Sequence, residues 1–187
     1  KWQVVEKNVP EGYTASVDGY DITNTHKPET TSVRGKKTWK DDNDNDGVRP
    51  QSITVILLGN MQEIERKTVT AADNWEWEFK DLPKNAGGSP ISYIVREQPV
   101  NGYTSHADGM NLTNTHENET TEVSGRKSWF DDNNAAGARP ESITIRVWDG
   151  AKEVASKVVT EADGWAWNFT GLQKFRNGEE IKYTITE

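Results

Sequence analysis

Apolar and polar residues alternate along most of this chain with a period of two. In "WEWEF", Trp75, Trp77 and Phe79 fall on one side and Glu76 and Glu78 on the other. Ile53, Val55 and Leu57 alternate with Thr54, Ile56 and Leu58, and Ile143, Ile145 and Val147 repeat the arrangement. Tyr93 and Val95 share a side opposite Ile94 and Arg96. Side chains of a strand point to opposite faces in turn, so each run predicts a strand with one face in a core. Clusters such as "PKNAGGSP", "PVNGY" and "ADGMN" separate the runs and predict turns. No stretch carries a helical stripe with caps. Many short strands at regular spacing predict an all-β fold of antiparallel sandwiches.

The pattern occurs twice. Trp39 returns as Trp129, Arg49-Pro50 as Arg139-Pro140, and Asp73-x-Trp75-x-Trp77-x-Phe79 as Asp163-x-Trp165-x-Trp167-x-Phe169, always 90 positions on. "TNTH" stands at Thr23 to His26 and again at Thr113 to His116. A module of about 90 residues is a normal size for a small sandwich. Residues 28–117 make one complete module. Residues 1–27 read as the C-terminal strands of a second module and residues 118–187 as its N-terminal part. The two end segments together hold every part of that module, and the expectation is that 1–27 completes 118–187, within one chain or between chains.

Composition narrows the partners. The net charge of −8 disfavours nucleic acid and anionic membrane surfaces. No apolar run reaches the ~20 residues of a membrane span. No signal peptide or sorting signal is visible, which reads as an internal segment of a longer protein. The chain has no Cys, so neither disulfides nor thiolate metal sites hold it together. Eight Trp, five Tyr and four Phe can still fill small cores.

Three polar residue types sit where strand parity turns them inward. Lys37 shares the parity of Val33, Gly35 and Trp39; Glu97 that of Tyr93 and Val95; Asn114 that of Leu112. The other copy offers Lys127, Glu187 matching Tyr183 and Ile185, Glu6 matching Trp2 and Val4, and Asn24 matching Ile22. An unpaired buried charge costs several kcal/mol, so these groups must be paired or neutralised. A buried Lys–Glu pair beside a bonded Asn is the plainer solution. The sharper one is a reaction: desolvation favours a neutral amine and a neutral acid, and the amine can then attack the Asn carbonyl while Glu shuttles protons to departing ammonia. Held contact would supply the effective molarity that such an exchange lacks in water.

The segments "VRGKKTW", "DDNDNDGVRP", "NWEWEFKDLP", "YIVREQPVNGY" and "LTNTH" resemble the Cna B-type repeats of Gram-positive surface adhesins, over essentially the whole chain and in the expected order. Tyr-x-Val-x-Glu followed by Gly-Tyr resembles the E-box of that family. The resemblance implies an inverse immunoglobulin-like sandwich and an autocatalytic Lys–Asn isopeptide bond assisted by Glu. Those roles would fall on Lys37, Asn114 and Glu97 in the complete module, and on Lys127 with Glu187 and Asn24 with Glu6 in the other copy. It implies a cell-wall-attached, extracellular stalk whose partners are neighbouring modules, with host matrix engaged through another region. The chain would be no enzyme beyond one self-directed turnover. Rival readings are a module that binds host matrix itself and a permuted arrangement that cross-links chains.

Weaker signals are absorbed by the fold. Asp42-x-Asp44-x-Asp46-Gly47 opens like a calcium loop, but Ile53 stands at the bidentate position and no helices flank it. The second copy has Ala136 in place of Asp46. The loop then reads as a turn whose acids are simply solvated. His26, His106 and His116 lack metal-ligand spacing and read as surface residues near strand ends. No cofactor and no metal are expected. The Trp rows alternate with Glu76, Glu78 and Asn168 and read as core, not as a sugar platform. The sequons at Asn111 and Asn118 would have no role in the bacterial protein that the resemblance implies.

Overall fold

The structure, a computed structural model, describes residues 1–187. It is all-β, built of antiparallel hairpins. Residues 1–27 carry β1 (Tyr13–Asp18) and β2 (Asp21–His26), which pair with each other as a separate two-stranded sheet. The first repeat follows with β3 (Thr30–Lys40), β4 (Ser52–Gly59), β5 (Gln62–Thr70), β6 (Glu76–Pro83), the short β7 (Asn85–Ala86) and β8 (Ser89–Pro90), β9 (Tyr93–Glu97), β10 (Thr104–Asp108) and β11 (Asn111–Thr115). The second repeat holds β12 (Thr120–Arg126), β13 (Ser142–Asp149), β14 (Lys152–Thr160), β15 (Ala166–Gln173), β16 (Phe175–Arg176), β17 (Glu179–Glu180) and β18 (Tyr183–Thr186).

By internal contacts the chain divides into two compact units. One comprises Lys1–Thr38, Gln51–Pro99 and His106–Thr113; the other comprises Trp39–Pro50, Val100–Ser105 and Asn114–Glu187. The units do not follow the repeat boundary, because a loop of the first repeat packs with the second.

In the first repeat the strands order as β10-β11-β3-β6 in one sheet and β5-β4-β9 in the other. Ile53, Val55 and Leu57 of β4, Val69 of β5, Trp77 and Phe79 of β6 and Val95 of β9 are buried, as their parity predicts. Each such side chain contributes about 1.5–3 kcal/mol of burial. Gly35 pairs with Trp77, and a Cβ on Gly35 would lie 1.9 Å from the Met110 carbonyl oxygen and 2.6 Å from the indole. Only glycine lets strand, indole and loop approach so closely.

Two contacts fix the direction of β11 beside β3. The Lys36 amide donates to Asn111 Oδ1 (3.1 Å), and the His116 amide donates to the Lys40 carbonyl (2.9 Å). Both partners advance together, so these neighbours run in the same direction.

In the second repeat, β12 pairs with β15, and β13 lies between β14 and β18. Ile143, Ile145, Val147, Val159, Trp165 and Phe169 form its buried cluster, with Trp129, Trp167 and Tyr183 packed against it. Trp129 and Trp165 meet edge to face at 5.1 Å. No strand of this chain takes the place that β11 holds beside β3, and β12 stops at Arg126 where β3 continues to Lys40. The counterpart of Leu112, which is 1% exposed, is Ile22, which is 43% exposed.

One predicted strand position is corrected. Trp75 precedes β6 and has φ 58°, as Trp165 has φ 56° before β15. A short 3-10 turn, Ala71–Asp73, ends there, with Asp73 Oδ2 accepting from the Thr70 amide and hydroxyl. The same turn recurs at Glu161–Asp163 with Thr160. The readable signal is Thr followed three residues later by Asp, a capping box.

Candidate functional site

The site begins with Lys37. Its amide donates to the Trp75 carbonyl at 2.7 Å, which sets the strand so that the side chain enters the sandwich. Glu97 ends β9 in the opposite sheet, paired in register with Val55. The Lys37 Nζ to Glu97 Oε1 distance is 2.6 Å, and the side chains are 0% and 1% exposed. The ion pair therefore crosses from sheet to sheet through the core. Burial pushes the Lys37 ammonium pKa down, and the hydrogen bond and charge of Glu97 oppose it. Burial outweighs them, so the Lys37 pKa lies below the ordinary lysine value.

Asn114 lies on β11, whose neighbour in the sheet is β3. It is fully buried, and neither its Oδ1 nor its Nδ2 has a hydrogen-bond partner. A buried amide left unpaired costs about 1–3 kcal/mol, so the position demands an explanation.

The second copy is formed as two half-sets. Lys127 Nζ stands 2.6 Å from Glu187 Oε2, but the side chains are 30% and 42% exposed. Lys127 also lies over the Trp129 ring at 5.0 Å. Asn24 is exposed and donates from Nδ2 to Glu6 Oε1 at 3.0 Å.

The acidic loop is not simply solvated, and here the sequence reading is corrected. Asp41, Asn45 and Asp46 are buried. Asp41 receives both Arg49 Nε (2.9 Å) and Nη2 (2.6 Å), together with the Tyr103 hydroxyl (2.8 Å). Asp46 Oδ2 accepts from the Glu119 amide (2.6 Å) and stands 3.0 Å from His116 Nε2. His116 is correspondingly a largely buried ion-pair partner, not a surface residue, whereas His26 and His106 are exposed. Sequence reasoning missed Asp46 and His116 because 70 residues separate them.

The profile of the Cna protein B-type domain matches residues 33–115 and 123–187. The chain belongs to the Cna B-type domain family. It is 39% identical over 184 residues to a collagen adhesin of Staphylococcus aureus, covering 97% of this chain and 16% of that adhesin. A solved structure of two B repeat units of the S. aureus collagen-binding protein matches with TM-score 0.56 and 37% identity, covering 94% of this chain and 49% of that one. A single B repeat unit of the same protein is 38% identical over 84% of this chain, with TM-score 0.47. The Cna B-type resemblance seen in the sequence thus holds for both repeats, and with it the β-sandwich class. Cna B-type repeats are structural modules of adhesins, not enzymes.

Proposed function

We propose that this chain is a segment of the stalk of a cell-wall-attached surface adhesin of a Gram-positive bacterium, and that Lys37 and Asn114 join in an isopeptide bond assisted by Glu97. The observation that carries this reading is the sealed Lys37–Glu97 pair, set beside the strand that presents a fully buried Asn114 without hydrogen-bond partners. Lys37 gives one proton to Glu97, and its Nζ lone pair then attacks Asn114 Cγ. The Cγ–Nδ2 bond breaks, a second Nζ proton passes to Nδ2, and ammonia leaves. Glu97 ends as the neutral acid beside a neutral amide, so no charge stays buried.

The fold suits a load-bearing role. β3 begins the module and β11 ends it, and the two run side by side in the same direction. Tension entering at one and leaving at the other would shear their hydrogen bonds. A covalent tie between them would carry that load and limit local opening. In the other copy the same roles fall to Lys127 with Glu187 and to Asn24 with Glu6. The partners of such a stalk are neighbouring modules, with host matrix met by another region of the parent.

Intact mass tests the bond. Each one formed leaves the chain lighter by one ammonia, and digestion yields a branched peptide holding Lys37 and Asn114. Lys37→Ala should abolish that peptide and lower the thermal midpoint. A native chain of full unmodified mass, or a branched peptide surviving in Lys37→Ala, would overturn the assignment.

A further inference from the structure

Two copies of one loop keep the same frame but differ at three positions. In Asp41–Gly47 the residues Asp42, Asn43 and Asp44 have φ of 50°, 57° and 61°, and Asp132, Asn133 and Asn134 repeat these values at 49°, 56° and 62°. Asp41 holds Arg49 and Asp131 holds Arg139 by the same two guanidinium bonds. Asp44 and Asn134 each accept the Arg amide that follows. The frame therefore builds the loop. Asp44 becomes Asn134 and keeps its acceptor, whereas Asn45-Asp46 becomes Ala135-Ala136 and loses its polar side chains.

Those two residues supply the side chains that bond Phe175 and Glu119 of the following repeat. Asn45 Nδ2 donates to the Phe175 carbonyl (2.9 Å), and the Asn45 carbonyl accepts from the Gly178 amide (2.9 Å). Asp46 takes the Glu119 amide and faces His116. Asn118 Nδ2 donates to Asp42 Oδ2 (3.2 Å). The contact is close-packed, since a Cβ on Gly47 would lie 2.6 Å from Gly178 Cα.

His116 closes the contact. Its Nδ1 is 2.7 Å from the Gly102 carbonyl and its Nε2 3.0 Å from Asp46. Both neighbours only accept, so both ring nitrogens must carry protons. The other groups facing the ring are the Asp41 carboxylate, already held by Arg49, and the Tyr103 ring at 5.4 Å. The Glu119 carboxylate is turned away to Lys174.

We propose that the Asp41–Gly47 loop is a docking surface for the repeat that follows it, specified by Asn45 and Asp46 and locked by doubly protonated His116, and that the Asp131–Gly137 loop lacks this surface. In a tandem stalk the consequence is joints of two stiffnesses; that consequence rests on the stalk reading, whereas the test does not involve the isopeptide bond.

The test transplants the second loop into the first. In Asn45→Ala/Asp46→Ala, amide hydrogen exchange at Gly178 should rise roughly tenfold or more. Gly178 bonds to the backbone of residue 45, which the substitution leaves in place, so faster exchange reports undocking. Exchange at core amides of Val55 and Val147 should stay unchanged. Unchanged exchange at Gly178 would overturn the proposal. Should the core amides also accelerate, Asp46→Asn, which keeps the shape, decides: the His116 titration midpoint seen by NMR must fall toward the ordinary imidazole value. A midpoint that does not move overturns the lock. In the native chain, Gly178 exchange relative to Gly137 should step up as pH rises through the His116 midpoint, and absence of that step counts against it equally.

Discussion

Lys37 and Glu97 meet at 2.6 Å with at most 1% of either side chain exposed, while Lys127 and Glu187 meet at the same 2.6 Å with 30% and 42% exposed. The pairs are equivalent in sequence and register. They differ because β11 lies beside β3 and no strand of this chain lies in that place beside β12. Removing one partner of a dry pair strands a buried charge. Glu97→Ala should therefore cost at least about 3 kcal/mol. Glu187→Ala should cost under about 1 kcal/mol, since water already solvates that pair. Urea unfolding of the two variants against the native chain measures both.

Gly35 and Gly125 give a second contrast. Both pair with a Trp, but only Gly35 also meets backbone, at the Met110 carbonyl. A backbone oxygen cannot turn aside, whereas an indole can shift. Gly35→Ala should destabilise by about 3 kcal/mol or more, and Gly125→Ala by nearer 1 kcal/mol. A thermal denaturation series with both variants gives the ordering, and equal losses would contradict the backbone argument.

Acid should loosen the first loop through Asp41. Burial pushes this carboxyl up, but Arg49, the Tyr103 hydroxyl and the Asp44 amide together outweigh it and hold the pKa below the usual carboxylate value. A depressed carboxylate contributes stability that is present above its unfolded pKa and lost as pH falls through its folded one. Tyr103→Phe removes one donor. The acid-unfolding midpoint, followed by Trp fluorescence, should move to higher pH in that variant.

His116 should give the opposite dependence. Asp46 and the Gly102 carbonyl raise its pKa against the lowering effect of burial. A raised imidazole contributes stability that is complete below its unfolded pKa and lost as pH rises through the folded one. For Asp46, burial pushes the carboxyl up, but the Glu119 amide, His116 and Asn45 hold it below its ordinary value. The contact is therefore strongest between the ordinary carboxylate range and the ordinary imidazole value, and weakens as pH rises through the raised His116 midpoint. Thermal midpoints across pH should fall on the alkaline side in the native chain and lose that step in His116→Gln.

Much of the fold was legible because it is local. Alternation in Ile53–Leu57 and in Trp77–Phe79 follows from the two-residue period of a strand, and the burial agrees. The inward parity of Lys37 and Glu97 followed from the same rule, since a charged side chain on a core-facing position is visible without coordinates. Trp75 was misread because a left-handed residue breaks the alternation, although Thr70 and Asp73 spell out the turn that causes it.

By itself the sequence determined strand parity, the 90-residue repeat and the residue types of the candidate site, because each depends on spacing along the chain. Only the tertiary structure decided which copies are dry and which acids are held. Lys37 and Lys127 read alike, yet one is sealed and the other wet, because burial depends on the strand that lies alongside. Asp46 reads as a solvated acid, yet it is buried against His116 and the Glu119 amide, 70 and 73 residues away. Desolvation and long-range hydrogen bonding depend on what the folded chain brings near, and no local pattern records that.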